Sequence, residues 1–135
     1  MSLTVRTNLG NIVVNDNVIA KMIIKGAEKS GEKLFLSNSK GKLLGAVSRI
    51  NAGDLAGNYV IKEIDAAYYL DFYAVIRFGA SISAVSKIVL DSIEEEMHEM
   101  FPEKAGHITL HIVGVKSKQI ALRNIEVKRD YEASR

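Results

Sequence analysis

The sequence predicts an α+β protein, a two-layer α/β sandwich in which a mixed or antiparallel sheet carries two main helices on one face. Apolar and polar residues alternate along 67–78, as in a half-buried strand. Apolar residues recur every three or four positions along 84–101, as in an amphipathic helix. The 135 residues are enough for one domain with its own core.

The chain opens with a predicted strand and helix. Residues 11–14 form a short apolar run, and Asn15 or Asp16 is suited to cap the helix that follows. We expect this helix to end near Ser30 and Gly31, because glycine is favoured just beyond a helix C-terminus.

Residues 32–57 have the least regular pattern. Residues 34–36 suit a short strand and 38–41 a turn, while 43–50 suit a short helix. Glycine, asparagine and aspartate in 51–54 and 56–58 are typical of a loop.

Two strands are predicted over 59–64 and 67–78, joined near Asp65 and Ala66. We expect one face of the second strand to meet the helices, and its members are Tyr68, Leu70, Phe72, Ala74, Ile76 and Phe78. The opposite face carries Tyr69, Asp71, Tyr73, Val75 and Arg77. This mixed face suits a half-exposed sheet or an interface.

The second main helix should start after Ser81 or Ser83, which are suited to cap it, and end before Pro102. A last strand follows over 107–115.

We therefore predict a single α/β domain over 1–116. Residues 117–135 are predicted to form a charged C-terminal tail, which leaves room for a docked strand or helix or for a frayed, partly disordered end.

Charge is unevenly distributed although the net charge is only +2. Residues 1–57 and 116–135 are basic, whereas 58–115 carry nine Asp/Glu against four Lys/Arg. This pattern is compatible with simple solubility, with head-to-tail self-association, or with contact to an anionic surface.

Several functional classes lack support in the sequence. The chain has no cysteine, which excludes disulfides and thiolate metal sites. Neither a signal-peptide pattern nor an apolar run long enough to span a bilayer is present. Because no nucleophile elbow, P-loop or dinucleotide-binding glycine motif occurs either, we expect a protein that is not an enzyme and has no cofactor.

Two groups of possible metal ligands have simpler interpretations. Asp91, Glu94, Glu95 and His98 lie at helical spacing, which indicates a solvated acidic face. His107 and His111 are roughly 13 Å apart on a strand, too far to share one metal ion. They would point the same way and line a surface whose charge changes near neutral pH.

The mixed strand face is the predicted interaction surface, with Tyr69, Tyr73, Val75 and Arg77 as contact residues. Tyrosine and arginine are favoured at protein interfaces. Aromatic residues on an open sheet also occur in RNA-binding domains. Nucleic acid is the less favoured partner here, because Asp71 lies between the tyrosines and residues 58–115 are acidic.

Three segments resemble conserved blocks of the alkaline-shock-protein family, the envelope stress response proteins of Gram-positive bacteria. They are GNIVVNDNVIAK at 10–21, LDFYAVIRFGASISAV at 70–85 and HIVGV at 111–115. The resemblance extends over about residues 8–30 and 58–116.

This resemblance implies a small, cytoplasmic, non-enzymatic protein that forms homo-oligomers. Some family members lie at the inner face of the membrane through a membrane-anchored partner. Others are linked to fatty-acid synthesis through acetyl-CoA carboxylase. The resemblance therefore implies a self-associating scaffold or regulatory protein of the cell envelope, with a regulatory binder of a metabolic enzyme as the first alternative and a single-stranded nucleic-acid binder as the second.

Overall fold

The computed structural model describes residues 3–7, 10–14, 16–45 and 50–135, with side chains for 17–45 and 50–135. Within these residues the chain forms seven strands and three helices. In chain order they are β1 (Leu3–Thr7), β2 (Gly10–Val14), α1 (Asp16–Glu28), β3 (Leu34–Ser37), α2 (Ala52–Leu55), β4 (Tyr59–Ile64), β5 (Ala67–Arg77), α3 (Ile82–Met100), β6 (Ala105–Lys116) and β7 (Ile120–Tyr131).

Five of the strands form one mixed sheet. Its order is β3-β5-β6-β7, and β4 also pairs with β5. The β5–β6 pair is parallel, whereas β3–β5, β4–β5 and β6–β7 are antiparallel. A parallel pair needs a crossover connection, which α3 provides between β5 and β6. Strands β1 and β2 form a separate antiparallel pair. The predicted α+β class with a mixed sheet is confirmed.

The core lies between this sheet and the helices α1 and α3. The inward-facing residues of β5 and β6 are buried, namely Tyr68, Leu70, Phe72, Ala74, Ile76, Ile108, Leu110 and Ile112. The α3 residues buried against them follow helical spacing, namely Val85, Val89, Ile93 and Met97. Helix α1 approaches α3 closely at Gly26, where an added Cβ would lie 3.2 Å from Cγ1 of Ile93.

The helix ends agree with the local sequence signals. The Ser81 hydroxyl accepts a hydrogen bond from the Ala84 amide at 3.2 Å and caps α3. Helix α1 ends at Glu28 and is followed by Gly31 with φ of 69°, close to the predicted end. Asp16 is the first residue of α1, and Asn15 lies outside the described residues.

The C-terminal segment differs from the prediction. Residues 117–135 do not form a tail outside a domain that ends at 116, because β7 pairs antiparallel with β6 along nearly its whole length. Ile125 and Val127 of β7 pack against the core. The docked-strand alternative is therefore the one that the structure contains.

Two other local predictions were wrong. Leu43 forms an antiparallel bridge with Ser37 rather than starting a helix, and residues 46–49 of that predicted helix lie outside the described part of the chain. Residues 52–55 are helical rather than part of a loop. Asn51 and Asp54 each accept a hydrogen bond from the other's backbone amide at 3.0 Å, and this capping box stabilises the single turn of α2.

Phe78 does not belong to the apolar face of β5. The strand ends at Arg77, and Gly79 turns the chain with φ of 85°. Phe78 is consequently 72% exposed, although the alternation of residues placed it in the core.

Candidate functional site

The sheet face turned away from α1 and α3, called the outer face, is the candidate site. Alternation along β5 places Tyr69, Asp71 and Tyr73 there, because their neighbours in the sequence face the helices. None of the three helices packs on this face within the described residues. The outer side of the central strands therefore remains accessible, except at the end of β5 around Val75, which is fully buried.

Two stacked pairs of aromatic rings occupy the middle of the outer face. The parallel register places Tyr69 beside His107 and Tyr73 beside His111. The ring centroids are 4.5 Å and 4.9 Å apart, with interplanar angles of 19° and 27°. The two tyrosines are four residues apart on β5 and the two histidines are four residues apart on β6, so the same stacked pair occurs twice along the two strands.

Each histidine of these pairs also contacts a carboxylate. Nδ1 of His107 lies 2.7 Å from Oδ1 of Asp130 on β7. Nε2 of His111 lies 3.0 Å from Oδ1 of Asp71, and its Nδ1 lies 3.8 Å from Oε1 of Glu126. We call the two sets Tyr69–His107–Asp130 and Tyr73–His111–Asp71 the ring units. Their contacts hold the rings in place before any partner arrives, which lowers the entropy cost of binding.

The four predicted contact residues have different environments. Tyr69 and Tyr73 are half-buried on the outer face, as expected. Arg77 is exposed, and its guanidinium carbon lies 5.9 Å from the ring centroid of Phe35, an outer-face cation–π contact.

Val75 is unavailable to a partner, because its exposed fraction is 0%. It lies opposite Phe35 on β3 and beside Gly114 on β6, where the β5–β6 register shifts. A Cβ added at Gly114 would lie 3.4 Å from Cγ2 of Val75, so the valine occupies space that the glycine leaves. The assignment of Val75 to the contact surface was wrong.

The histidines and carboxylates of the ring units were missing from the predicted contact set. The shared orientation of His107 and His111 was visible in the sequence. Their pairing with the tyrosines depends on the parallel register of β5 and β6, which alternation within one strand does not specify. A helix pattern between two strand patterns was the available signal, since it favours a parallel pair.

Strand β4 extends the outer face beyond the ring units. Lys62 lies opposite Tyr69 and Val60 opposite Asp71, so both share the face. Val60 is 40% exposed. Aromatic, aliphatic and charged side chains are thus mixed on one surface, which is typical of a protein-contact surface.

Two carboxylates on the acidic side of α3, those of Asp91 and Glu94, are paired with cations of the same chain. Nη1 of Arg129, on β7, lies 2.8 Å from Asp91 and 3.3 Å from Glu94. Nε2 of His98 donates a hydrogen bond to the Glu132 carbonyl at 2.9 Å. Hydrogen bonds from Lys87 and then Arg129 lower the pKa of Asp91. Within the described residues no set of three or more metal-ligating side chains is placed to hold an ion.

The fold and the outer face together define an α+β domain with helices on one side of a mixed sheet and an open, ring-lined surface on the other. No family model matches the chain, and no solved structure matches it. It is similar to the uncharacterized protein Spy1614 of Streptococcus pyogenes serotype M6, with 22% identity over 116 residues that cover 86% of this chain and 96% of that protein. In the described regions no helix is both long enough and apolar enough to cross a membrane.

Proposed function

We propose that this chain is a non-catalytic, self-associating scaffold or regulatory protein that acts by protein–protein contacts through its outer face. The observation that carries the proposal is the pair of fixed ring units on a sheet face that none of the described helices covers. Rigid aromatic groups gain contact area with little loss of side-chain entropy, and tyrosine is frequent among the residues that dominate binding energy.

The outer face carries charges of both signs, with Lys62 and Lys128 beside the carboxylates, and such a mixed surface favours a protein partner over a nucleic acid. Asp130 contacts His107, and Asp71 and Glu126 both lie near His111. Carboxylates beside the rings would repel the phosphates of a bound strand, whereas a protein partner can supply cations or amides to them.

The resemblance to the alkaline-shock-protein family supplies the proposed setting. We place the protein in the cytoplasm, at the inner face of the membrane through a membrane-anchored partner. Binding to acetyl-CoA carboxylase subunits rests on that resemblance alone, and co-purification of the subunits from a native lysate would support it.

Light scattering after size-exclusion chromatography, across a range of protein concentrations, tests the self-association. We expect the wild-type chain to form an oligomer that Tyr73→Asp weakens, because a carboxylate would replace a contact ring beside Asp71. Ile88→Asp is the matched control, since Ile88 is 43% exposed on α3, in the helical layer.

Three outcomes decide between the possibilities. Loss of the oligomer in Tyr73→Asp but not in Ile88→Asp supports the outer face, provided that circular dichroism shows both variants folded. Equal masses for Tyr73→Asp and wild type argue against this face. A wild-type monomer at every concentration would overturn self-association.

A further inference from the structure

The outer edge of β7 is the longest free strand edge in the described structure. This 12-residue strand pairs with β6 on one side, and no described strand pairs with its other side. The opposite edge of the sheet is divided between the shorter strands β3 and β4, and the Leu44 amide donates to the Leu36 carbonyl on β3. Backbone amides and carbonyls along a free edge are a template for another strand.

Over residues 125–131 the β7 edge lacks two of the usual features that block such pairing, since it has no proline and the register shift against β6 lies before Ile125. The chain's single proline is Pro102. An inward-facing charge on an edge strand commonly prevents association. Here that charge, Arg129, is already bound by Asp91 and Glu94 of its own chain. The chain after β7 turns toward the end of α3, where the Arg135 amide donates to the Pro102 carbonyl.

The order of charges along β7 selects a second copy of the same strand as the partner. Glu126 and Lys128 are exposed and both lie on the outer face. If two copies of β7 pair antiparallel about a two-fold axis at Val127, Glu126 of each copy lies opposite Lys128 of the other. Opposite charges directly across two strands stabilise the pair, and this register makes that contact twice.

The adjacent registers are unfavourable. An axis at residue 126 places Glu126 opposite its own counterpart, and an axis at residue 128 does the same with Lys128. Like charges directly opposite each other destabilise a strand pair. An axis at residue 125 places no charged residues of the outer face opposite one another. An axis at residue 129 would also bring opposite charges together, Lys128 against Asp130, but it places the inward-facing Arg129 of each copy opposite its own counterpart. The charges therefore favour the axis at Val127.

We propose that β7 pairs antiparallel with β7 of a second copy about a two-fold axis at Val127, which joins the two five-stranded sheets into one. The inference rests on the proposed self-association and adds a contact distinct from the outer face. Because the axis is perpendicular to the sheet, both outer faces point the same way and the dimer presents two sets of ring units to the next partner.

Charge exchange tests the register. Glu126→Lys places like charges opposite each other at two points, and we expect roughly a tenfold weaker dimer in sedimentation or light scattering at low salt. The double variant Glu126→Lys with Lys128→Glu restores opposite charges in the same register and should restore the wild-type dissociation constant. A double variant as weak as the single one would overturn the register.

Disulfide trapping provides a direct second test, because the natural chain contains no cysteine. Residues directly opposite in an antiparallel pair have Cα atoms about 4.5–5.5 Å apart, within disulfide range. Diagonal neighbours are about 7–8 Å apart. Mixing a Glu126→Cys chain with a Lys128→Cys chain should therefore give cross-linked heterodimers under mild oxidation, whereas each variant alone should cross-link poorly.

The outcomes separate this inference from the proposed function. Heterodimer trapping and charge-exchange rescue support edge pairing. If neither occurs while Tyr73→Asp still reduces the oligomer, edge pairing is wrong and self-association through the outer face stands. If the wild-type chain is monomeric under all conditions, both proposals are overturned.

Discussion

Tyr131 lies directly over Gly106, its opposite residue on the neighbouring strand, and its ring fills the space where a side chain at position 106 would begin. The His98 ring of α3 meets the same tyrosine edge-on, with 4.8 Å between the ring centroids. Helix α3 and strands β6 and β7 therefore converge on one aromatic ring. This convergence attaches the C-terminal strand to the helical layer as well as to the sheet.

Gly106→Ala is expected to lower the free energy of unfolding by about 1–3 kcal/mol, because the new methyl group overlaps the Tyr131 ring. Urea denaturation measures the change. The same substitution in a Tyr131→Ala background should cost much less, since the overlap is removed. An equal cost in both backgrounds would show that the ring is not the cause.

Val75→Ala is expected to destabilise the protein by about 2 kcal/mol, through lost burial and the cavity that remains. Val60→Ala is the matched control on the same sheet face. Because Val60 is 40% exposed, its truncation should change the stability by no more than about 0.5 kcal/mol. Similar thermal melting temperatures for the two variants would contradict the difference in burial.

Asp91 is expected to stabilise the fold at neutral pH and to lose that contribution in acid. Hydrogen bonds from Lys87 and Arg129 lower its pKa below the ordinary value of 3.8. A carboxyl whose pKa is lowered by folding stabilises the protein above its unfolded pKa, and the effect disappears as the pH falls through the folded pKa. Asp91→Asn should therefore cost about 0.5 kcal/mol at pH 7, a small value because the pair is solvent-screened.

The test is a series of thermal melts from pH 7 downward. The curves of wild type and Asp91→Asn should converge as the pH falls below 3.8. Glu95→Gln on the same helix should show no such convergence, because the described residues give Glu95 no ion pair. A constant gap between wild type and Asp91→Asn at all pH values would reject the ion-pair explanation.

Tyr68→Phe is expected to leave stability at pH 7 unchanged or to raise it by about 1 kcal/mol. Its buried hydroxyl makes no hydrogen bond of good geometry with the described residues and has only a weak interaction with the Glu63 carboxylate, so removing it relieves a desolvation cost. Burial, with the nearby charge of Glu63, raises the pKa of Tyr68 to about 12. Because the phenol ionises at a lower pH in the unfolded chain than in the folded one, the free energy of unfolding keeps its neutral-pH value below pH 10 and falls as the pH rises from 10 to 12.

Alkaline denaturation followed by tyrosine absorbance measures this effect. Above pH 10, Tyr68→Phe should retain more of its neutral-pH stability than wild type. Tyr69→Phe is the control, since Tyr69 is only half-buried on the outer face. Identical alkaline profiles for wild type and Tyr68→Phe would exclude this tyrosine as the titrating group.

Strict periodicity made the centre of the fold predictable from sequence. Alternation in β5 and three-to-four spacing in α3 arise from burial of one face, so the apolar pattern directly reports the structure. Strand β7 was harder to predict, because its inward-facing Arg129 is satisfied by two carboxylates of α3 and interrupts the apolar alternation. An ion pair that joins two elements leaves no local signal in the sequence.

The candidate site was only partly predictable, because periodicity within one strand shows which face a residue occupies but not which residues of other strands lie beside it. Tyr69 and Tyr73 were placed on the correct face by the period of a strand. The burial of Val75 depends on Phe35 and Gly114, which are far away in the sequence, and on a register shift between strands. The ring units likewise need residues from two or three strands, and single-strand patterns do not encode which strands are neighbours.

The position of β6 has a consequence for incomplete chains. β6 is covered by β5 on one side and by β7 on the other, and Ile108, Leu110 and Ile112 are buried along it. A chain shortened at residue 116 would leave this apolar strand as an exposed edge, the feature that promotes aggregation of partly folded proteins. We therefore expect truncation products and nascent chains lacking β7 to depend on chaperones, and the last strand to act as protection against misassembly.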